Sequence, residues 1–117
     1  MIALVDAENV RRSLWPNVSP SQLVAQLAEW ARTEGVEAVA VFDGAAPEPI
    51  EGVQTVGTGR ESADDWIARH AAELDEPYLL VTSDRELRRR AGGGAAKTVG
   101  GGAFARELQA FGREPSA

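Results

Sequence analysis

The chain has 117 residues, the size of one ordinary domain. With 44% hydrophobic and 26% charged residues it can bury a core without a disulfide or structural metal. It has no cysteine and a single histidine, His70, which excludes thiolate zinc sites, thiol nucleophiles and multi-histidine metal centres and weakens any Ser-His-Asp arrangement. The net charge of −6, from 12 Lys and Arg against 18 Asp and Glu, opposes indiscriminate binding to phosphate backbones. It leaves room for a local basic patch or for a partner that delivers the substrate.

Along the chain, Ile2 to Val5 is a continuous apolar run closing on Asp6, the pattern of a strand covered on both faces. A first loop containing Trp15 follows. Ser19-Pro20-Ser21-Gln22 then starts a helix: Ser19 caps, Pro20 suits the first helical position, and Gln22 completes a capping box. Leu23, Leu27, Trp30 and Ala31 keep helical spacing, and Gly35 is the stop. Val36 to Phe42 is a second strand, ending in Asp43-Gly44, and the prolines between Ala45 and Ile50 make a loop. Val53 to Val56 reads as a short strand suited to a sheet edge. Ser62 caps a helix running to about Leu74, with Ala63, Ile67, Ala71 and Leu74 as its apolar stripe. Pro77 ends it. Tyr78 to Thr82 is a further buried strand, followed by Ser83-Asp84 and a short arginine-rich helix to about Arg90. Glycines 92–94 turn into a last strand, Ala95 to Val99, and a last helix from Ala103 to Phe111.

Strands alternating with helices imply right-handed βαβ units. The expected fold is therefore α/β: a three-layer α/β/α sandwich on a mainly parallel sheet of about five strands. One domain spans 1–112, with 113–117 as a disordered tail. No apolar run approaches the roughly 20 residues of a membrane span. No basic leader precedes the N-terminal strand, so a cytoplasmic location with no membrane contact is expected.

The chemistry lies in the acids. Three apolar strands end in one: Leu4-Val5-Asp6, Val41-Phe42-Asp43 and Val81-Thr82-Ser83-Asp84. Asp64-Asp65 opens a helix. In a parallel sheet these carboxylates share one edge, where their mutual repulsion is relieved by a hard, oxygen-preferring cation, Mg²⁺ or Mn²⁺. Such an ion activates water and stabilises a phosphodiester in transition, with no need for histidine or cysteine. Each acid also has a plain structural role open to it. Asp6 and Asp84 suit caps, Asp43-Gly44 is a common turn pair, and Asp64 and Asp65 suit a helix's first turn. Parallel sheets also bring every strand-to-helix loop to that edge.

Basic residues gather at the same edge: Arg11 and Arg12 after Asn9, Arg60 before the Asp64 helix, and Arg85, Arg88, Arg89 and Arg90 after Asp84. They can hold a polyanionic strand, or simply form a solvated face balancing Glu86. Asn9 can orient Asp6, a water or a phosphate oxygen, and Ser83 can bond a metal-bound water. Glu8 and Glu86 are further acids. Trp15 can stack on a base, whereas Trp30, Trp66 and His70 suit packing.

Leu4-Val5-Asp6-Ala7-Glu8-Asn9-Val10, Val41-Phe42-Asp43-Gly44, Gly59-Arg60-Glu61-Ser62-Ala63-Asp64-Asp65 and Val81-Thr82-Ser83-Asp84-Arg85-Glu86-Leu87 resemble, in order, the NYN domains of the YacP-like group. Val99-Gly100 with Ala103-Phe104 fits as well, so the resemblance spans Ile2 to Leu108. It implies a PIN-like fold, related to toxin ribonucleases and flap endonucleases, and metal-dependent RNA cleavage or RNA binding. In some members it implies action on ribosome-associated message. By position the acidic site falls on Asp6, Asp64 and Asp84, with Asn9 beside Asp6 and with Asp43 and Asp65 or Glu86 as further ligands. The chain departs from the group at Ala7-Glu8, where Gly-Asn or Gly-Tyr is common.

The expected function is a Mg²⁺- or Mn²⁺-dependent endoribonuclease acting on single-stranded RNA as a monomer or weak homodimer. In it Asn9, Arg11, Arg12, Arg60, Ser83, Arg85 and Arg88 contact the RNA. The alternative is a non-catalytic RNA- or ribosome-binding module. A receiver or phosphatase domain is disfavoured: position 8 is Glu rather than the second Asp of Asp-x-Asp, and Lys97 lies at the wrong end of its strand. No phosphate-binding glycine loop follows a strand.

Overall fold

The computed structural model describes residues 1–14 and 17–113, the last three by backbone alone. The elements, in chain order, are β1 (Ile2–Asp6), α1 (Ala7–Arg12), α2 (Pro20–Glu34), β2 (Glu37–Phe42), β3 (Val53–Gly57), α3 (Ala63–Glu73), β4 (Tyr78–Val81), α4 (Arg85–Ala91), β5 (Lys97–Val99) and α5 (Gly101–Arg113). All four strand pairings are parallel and the order is β3-β2-β1-β4-β5. The expected three-layer α/β fold is present.

Two-residue alternation along the strands sorts the core. Ala3 and Val5, Ala38, Ala40 and Phe42, and Val81 pack with α1, α2 and α5 on one face. Leu4, Val39 and Val41, and Tyr78 and Leu80 pack with α3 and α4 on the other. The first face is locked by Trp30 and Phe104, whose rings meet edge-on at 4.9 Å, while the Trp30 indole donates to Glu107 at 3.1 Å. Trp30 is a packing residue, as its helical spacing implies, and fully buried Phe104 is its partner. Trp66 stacks on His70 at 4.6 Å, so that histidine packs against a ring. Among the described residues, no helix is long and apolar enough to cross a membrane.

The capping box at Ser19 and Gln22 forms as read, and Gly35 takes the left-handed conformation, φ 68°, that ends α2. Several boundaries differ from expectation: β5 begins at Lys97 rather than Ala95, α5 runs on through Arg113, the first residue of the expected tail, and two further differences have clear causes. The stretch after Asp6 is a helix rather than loop: Ala7 and Val10 are buried three apart, Glu8 occupies the first turn, and Arg11 and Arg12 the last. At six residues it is too short for periodicity to announce. The last helix begins at Gly101, not Ala103, because the Gly101 N–H is fixed by the Ser83 hydroxyl at 2.8 Å. Trp15 and residues 114–117 of the expected tail lie outside the described residues.

The strand order reverses between β1 and β4. β2 and β3 run outward from one side of β1, and β4 and β5 from the other. The crevice beyond the carboxyl ends of adjacent strands at such a switch point is where open α/β sheets place their sites.

One close approach holds the neighbouring loop. A methyl on Gly57 would stand 2.6 Å from the Gly44 carbonyl oxygen and 2.9 Å from the Ala46 nitrogen, both backbone atoms that cannot swing aside. Gly57→Ala is therefore expected to lower stability by about 1–3 kcal/mol, read as a drop in the urea midpoint at unchanged slope. An unchanged midpoint would show that the loop after Asp43 is free to move.

Candidate active site

Asp6 stands at the carboxyl end of the central strand and is only 5% exposed. Strand alternation turns it to the same side as Ile2 and Leu4, toward α3 and α4. Val5 pairs with Val81, so the next residue on β4's chain, fully buried Thr82, comes level with Asp6. The Thr82 hydroxyl donates to Asp6 Oδ2 at 2.9 Å and accepts from the Asp84 N–H at 3.1 Å. Thr82 thus fixes the Asp6 carboxylate and the turn that carries Asp84. The motif reading passed over its role, although the same alternation, Tyr78, Leu80, Thr82, points to it.

The other acids are positioned by helix starts. Asp84 Oδ1 caps α4, accepting from the Leu87 N–H at 2.9 Å. Asp43 is exposed, and its Oδ1 accepts from the Ala63 N–H at 2.8 Å, tying the end of β2 to the first turn of α3. Ser62 caps the same helix through the Asp65 N–H at 3.1 Å. This double anchorage sets Asp64, half-buried and without a hydrogen-bond partner among the described residues. Asp65 turns away to an ion pair with Arg90 at 2.8 Å, joining α3 to α4, and its carboxyl lies below the usual range because of that bond.

The electrostatics bring four of the acids together. The Asp6 pKa is raised to about 6, mainly by burial, with the charges of Asp64 and Asp43 adding to it and the Thr82 hydrogen bond opposing it. The Asn9 backbone N–H also opposes the rise, although Asp6 makes no cap hydrogen bond to α1. Asp64 is raised by partial burial, then by Asp84 and Asp43, against Arg90. Asp6, Asp43, Asp64 and Asp84 therefore share one negative field.

The donors are all oxygen, the chemistry that Mg²⁺ and Mn²⁺ favour over softer ions. As placed, no three His, Asp or Glu among the described residues form one ready ligand group. Mg²⁺ is commonly held by one or two carboxylates, with waters and substrate phosphate completing its shell. The oxygen donors of Asp6 and Asp64 have the chemistry that this lesser demand calls for.

Asn9 and Ser83 form a latch across the crevice. Asn9 Oδ1 accepts from the Ser83 N–H at 2.9 Å, and the Ser83 hydroxyl accepts from Gly101. A methyl on Gly101 would fall 2.0 Å from Asn9 Oδ1, so a side chain there would push the Asn9 amide off the Ser83 N–H. Of the expected RNA contacts, Arg11 is engaged by Glu8, at 2.7 and 2.8 Å, and by the Val18 carbonyl. Arg89 is engaged by Glu86. Arg88 Nε donates to the Thr82 carbonyl at 2.9 Å, which holds its outer nitrogens beside Ser83 and Gly100. Arg60 and Arg85 are exposed without ion pairs among the described residues, and Arg12 makes one bond, to the Glu8 carbonyl.

Two outcomes test this geometry. Ionised Asp6 is disfavoured in the fold, so its cost is present above its folded pKa and vanishes as pH falls below its unfolded value. Asp6→Asn should stabilise the chain near pH 8, by at most about 3 kcal/mol, and by little near pH 4. Thermal melts across that range, with the gap narrowed by Mg²⁺, check it; a gap independent of pH would refute it. Thr82→Val leaves the Asp84 N–H and Asp6 Oδ2 without their partner and should cost about 1–3 kcal/mol in chemical denaturation.

The sequence matches the YacP-like NYN domain over residues 17–116, starting after β1 and α1. Comparison with curated proteins gave no match. Among solved structures, the crystal structure of Rae1 (YacP) from Bacillus subtilis is similar with a TM-score of 0.76 at 22% identity, over 97% of this chain and 76% of that one. A single-substitution mutant of the same protein gives 0.75 at 23%, over 97% and 77%. At that identity the likeness speaks for the fold. With most of its length matched, the chain belongs to the YacP-like NYN domain family, a branch of the PIN-like nucleases.

Proposed function

We propose that this chain is an endoribonuclease that cuts single-stranded RNA using Mg²⁺ or Mn²⁺ held at Asp6 and Asp64, with Asp84 and Asp43 completing the negative field. The observation that carries the reading is Asp6 itself. It is a carboxylate buried at the switch point of the sheet, raised to about 6, with a hydroxyl but no basic side chain bonded to it among the described residues. A structural acid at that depth normally has a cationic partner. Family membership supports a ribonuclease at the level of reaction class.

When bound, the ion would stabilise charge on the phosphodiester and activate a water. The protein's part is positioning. Thr82 fixes the plane of the Asp6 carboxylate, and the Asp43 and Ser62 caps set Asp64. Arg88, held by the Thr82 carbonyl, offers its outer nitrogens to a phosphate, with Arg85, Arg60 and Arg12 as further exposed cations. Asn9 and Ser83 close the crevice wall, and the Asn9 Nδ2 and the Ser83 O–H, unused as donors among the described residues, remain for a phosphate or a metal-bound water. Asp65 and Arg11 are spoken for by ion pairs and act as supports. The net charge of −6 gives weak attraction for free RNA. That supports delivery of the substrate by a larger assembly such as the ribosome, in the cytoplasm.

Asp64→Asn keeps the helix and its caps, so its effect isolates charge. Cleavage of single-stranded RNA in Mn²⁺ should fall about 100-fold or more with the melting curve little changed. Equal cleavage by wild type and variant would end the proposal. If the wild type cuts nothing with any divalent ion, yet binds RNA in a salt-dependent way that Arg88→Ala weakens, the non-catalytic RNA-binding reading replaces it.

A further inference from the structure

On α1, the helix that follows Asp6, lies a cavity of about 280 Å³, walled by Glu8, Arg11 and Arg12 and by Asn17 and Val18 of the segment entering α2. By liquid volume that is room for roughly nine waters, more than a bare anion needs. Its charges are largely settled. Arg11 is gripped through Nε and Nη1 by the Val18 carbonyl and both Glu8 oxygens, so the charges of the pair offset each other. What remains is one guanidinium, Arg12, held only through Nε to the Glu8 carbonyl at 3.2 Å. Beside it are one exposed amide, Asn17, with no hydrogen bond among the described residues, and the aliphatic Val18. A phosphate would want several uncompensated donors. A planar ring with polar edges wants a flat cation for its face, an apolar wall and an amide for its edge.

The cavity is also in the right place. With about 3.6 residues per turn, Arg12 projects between Glu8, on the cavity wall, and Asn9, which latches Ser83 at the crevice. Asp6 immediately precedes the same helix.

We propose that this cavity receives one nucleobase of the RNA next to the phosphate at the acid cluster, Arg12 lying on the ring face and Asn17 reading its edge. The identity of the polymer rests on the ribonuclease reading; the cavity and its lining do not. The consequence is a base preference at one position, set by Asn17.

The test uses the full chain with short RNA homopolymers of each base. Binding is measured by fluorescence anisotropy on the Asp64→Asn background, and cleavage is measured with Asp64 intact. One base should be preferred. Asn17→Ala should weaken binding of that base about tenfold while leaving the salt slope as it was, and Arg12→Ala should weaken all four. Asn17 is exposed, so its variant should melt like its parent, and Asn17→Asp, which keeps an acceptor but loses the donor, should shift the preference rather than abolish it. Equal affinity for all four homopolymers, or a preference untouched by Asn17→Ala, overturns the inference while cleavage leaves the ribonuclease reading standing. Neither binding nor cleavage of any RNA removes both.

Discussion

A carboxylate at the buried end of a central strand, answered by a hydroxyl instead of a cation, is costly to keep ionised. In this chain that carboxylate is Asp6, and much of the surrounding structure follows from holding it there. Thr82 lies level with it because β4 pairs with β1 in parallel register, and the same hydroxyl receives the Asp84 N–H. Asp43 and Ser62 together fix the start of α3, so that Asp64 adds its charge rather than relieving the strain. Repulsion of this kind persists in a fold when something outside the protein compensates it, and a hard divalent cation has the matching chemistry.

The arginines divide the work. Those that pair with acids build the frame: Arg90 joins α4 to Asp65 on α3, Arg11 joins Glu8 to the loop carbonyl of Val18, and Arg69 joins Glu61. None of these pairs satisfies Asp6. Arg88 belongs to a second kind, anchored by one nitrogen to a main-chain carbonyl and open at the others. An anchored guanidinium loses less freedom on meeting a phosphate than a mobile one. The basic cluster seen along the sequence is thus partly scaffold and partly the surface on which an anionic strand would lie.

The sheet was legible because short apolar runs closing on acids and bounded by turn residues suit strands buried on both faces; Ile2 to Asp6 and Val36 to Asp43 read this way. The capping box at Ser19 was legible because it is local chemistry. The helix at Ala7 to Arg12 was not, since six residues carry less than two turns of periodicity. Nor was the early start of α5, which depends on Ser83, distant in sequence. The acids at 6, 43, 64 and 84 could be named from strand ends and a helix start. Which of them would be spent on caps, and that Asp65 would go to Arg90, required the packing of α3 against α4. Thr82 was missed because a threonine at a strand end has many ordinary uses; its partner on β1 becomes evident only once the β1–β4 register is known.

The most direct measurement of the central claim is a titration of the Asp6 carboxyl carbon by NMR, with and without Mg²⁺. Without the ion the signal should titrate near 6, well above the usual carboxylate range, and Mg²⁺ should move the midpoint down as the ion competes with the proton. A midpoint in the ordinary range without metal, or one that Mg²⁺ leaves in place, would contradict the account.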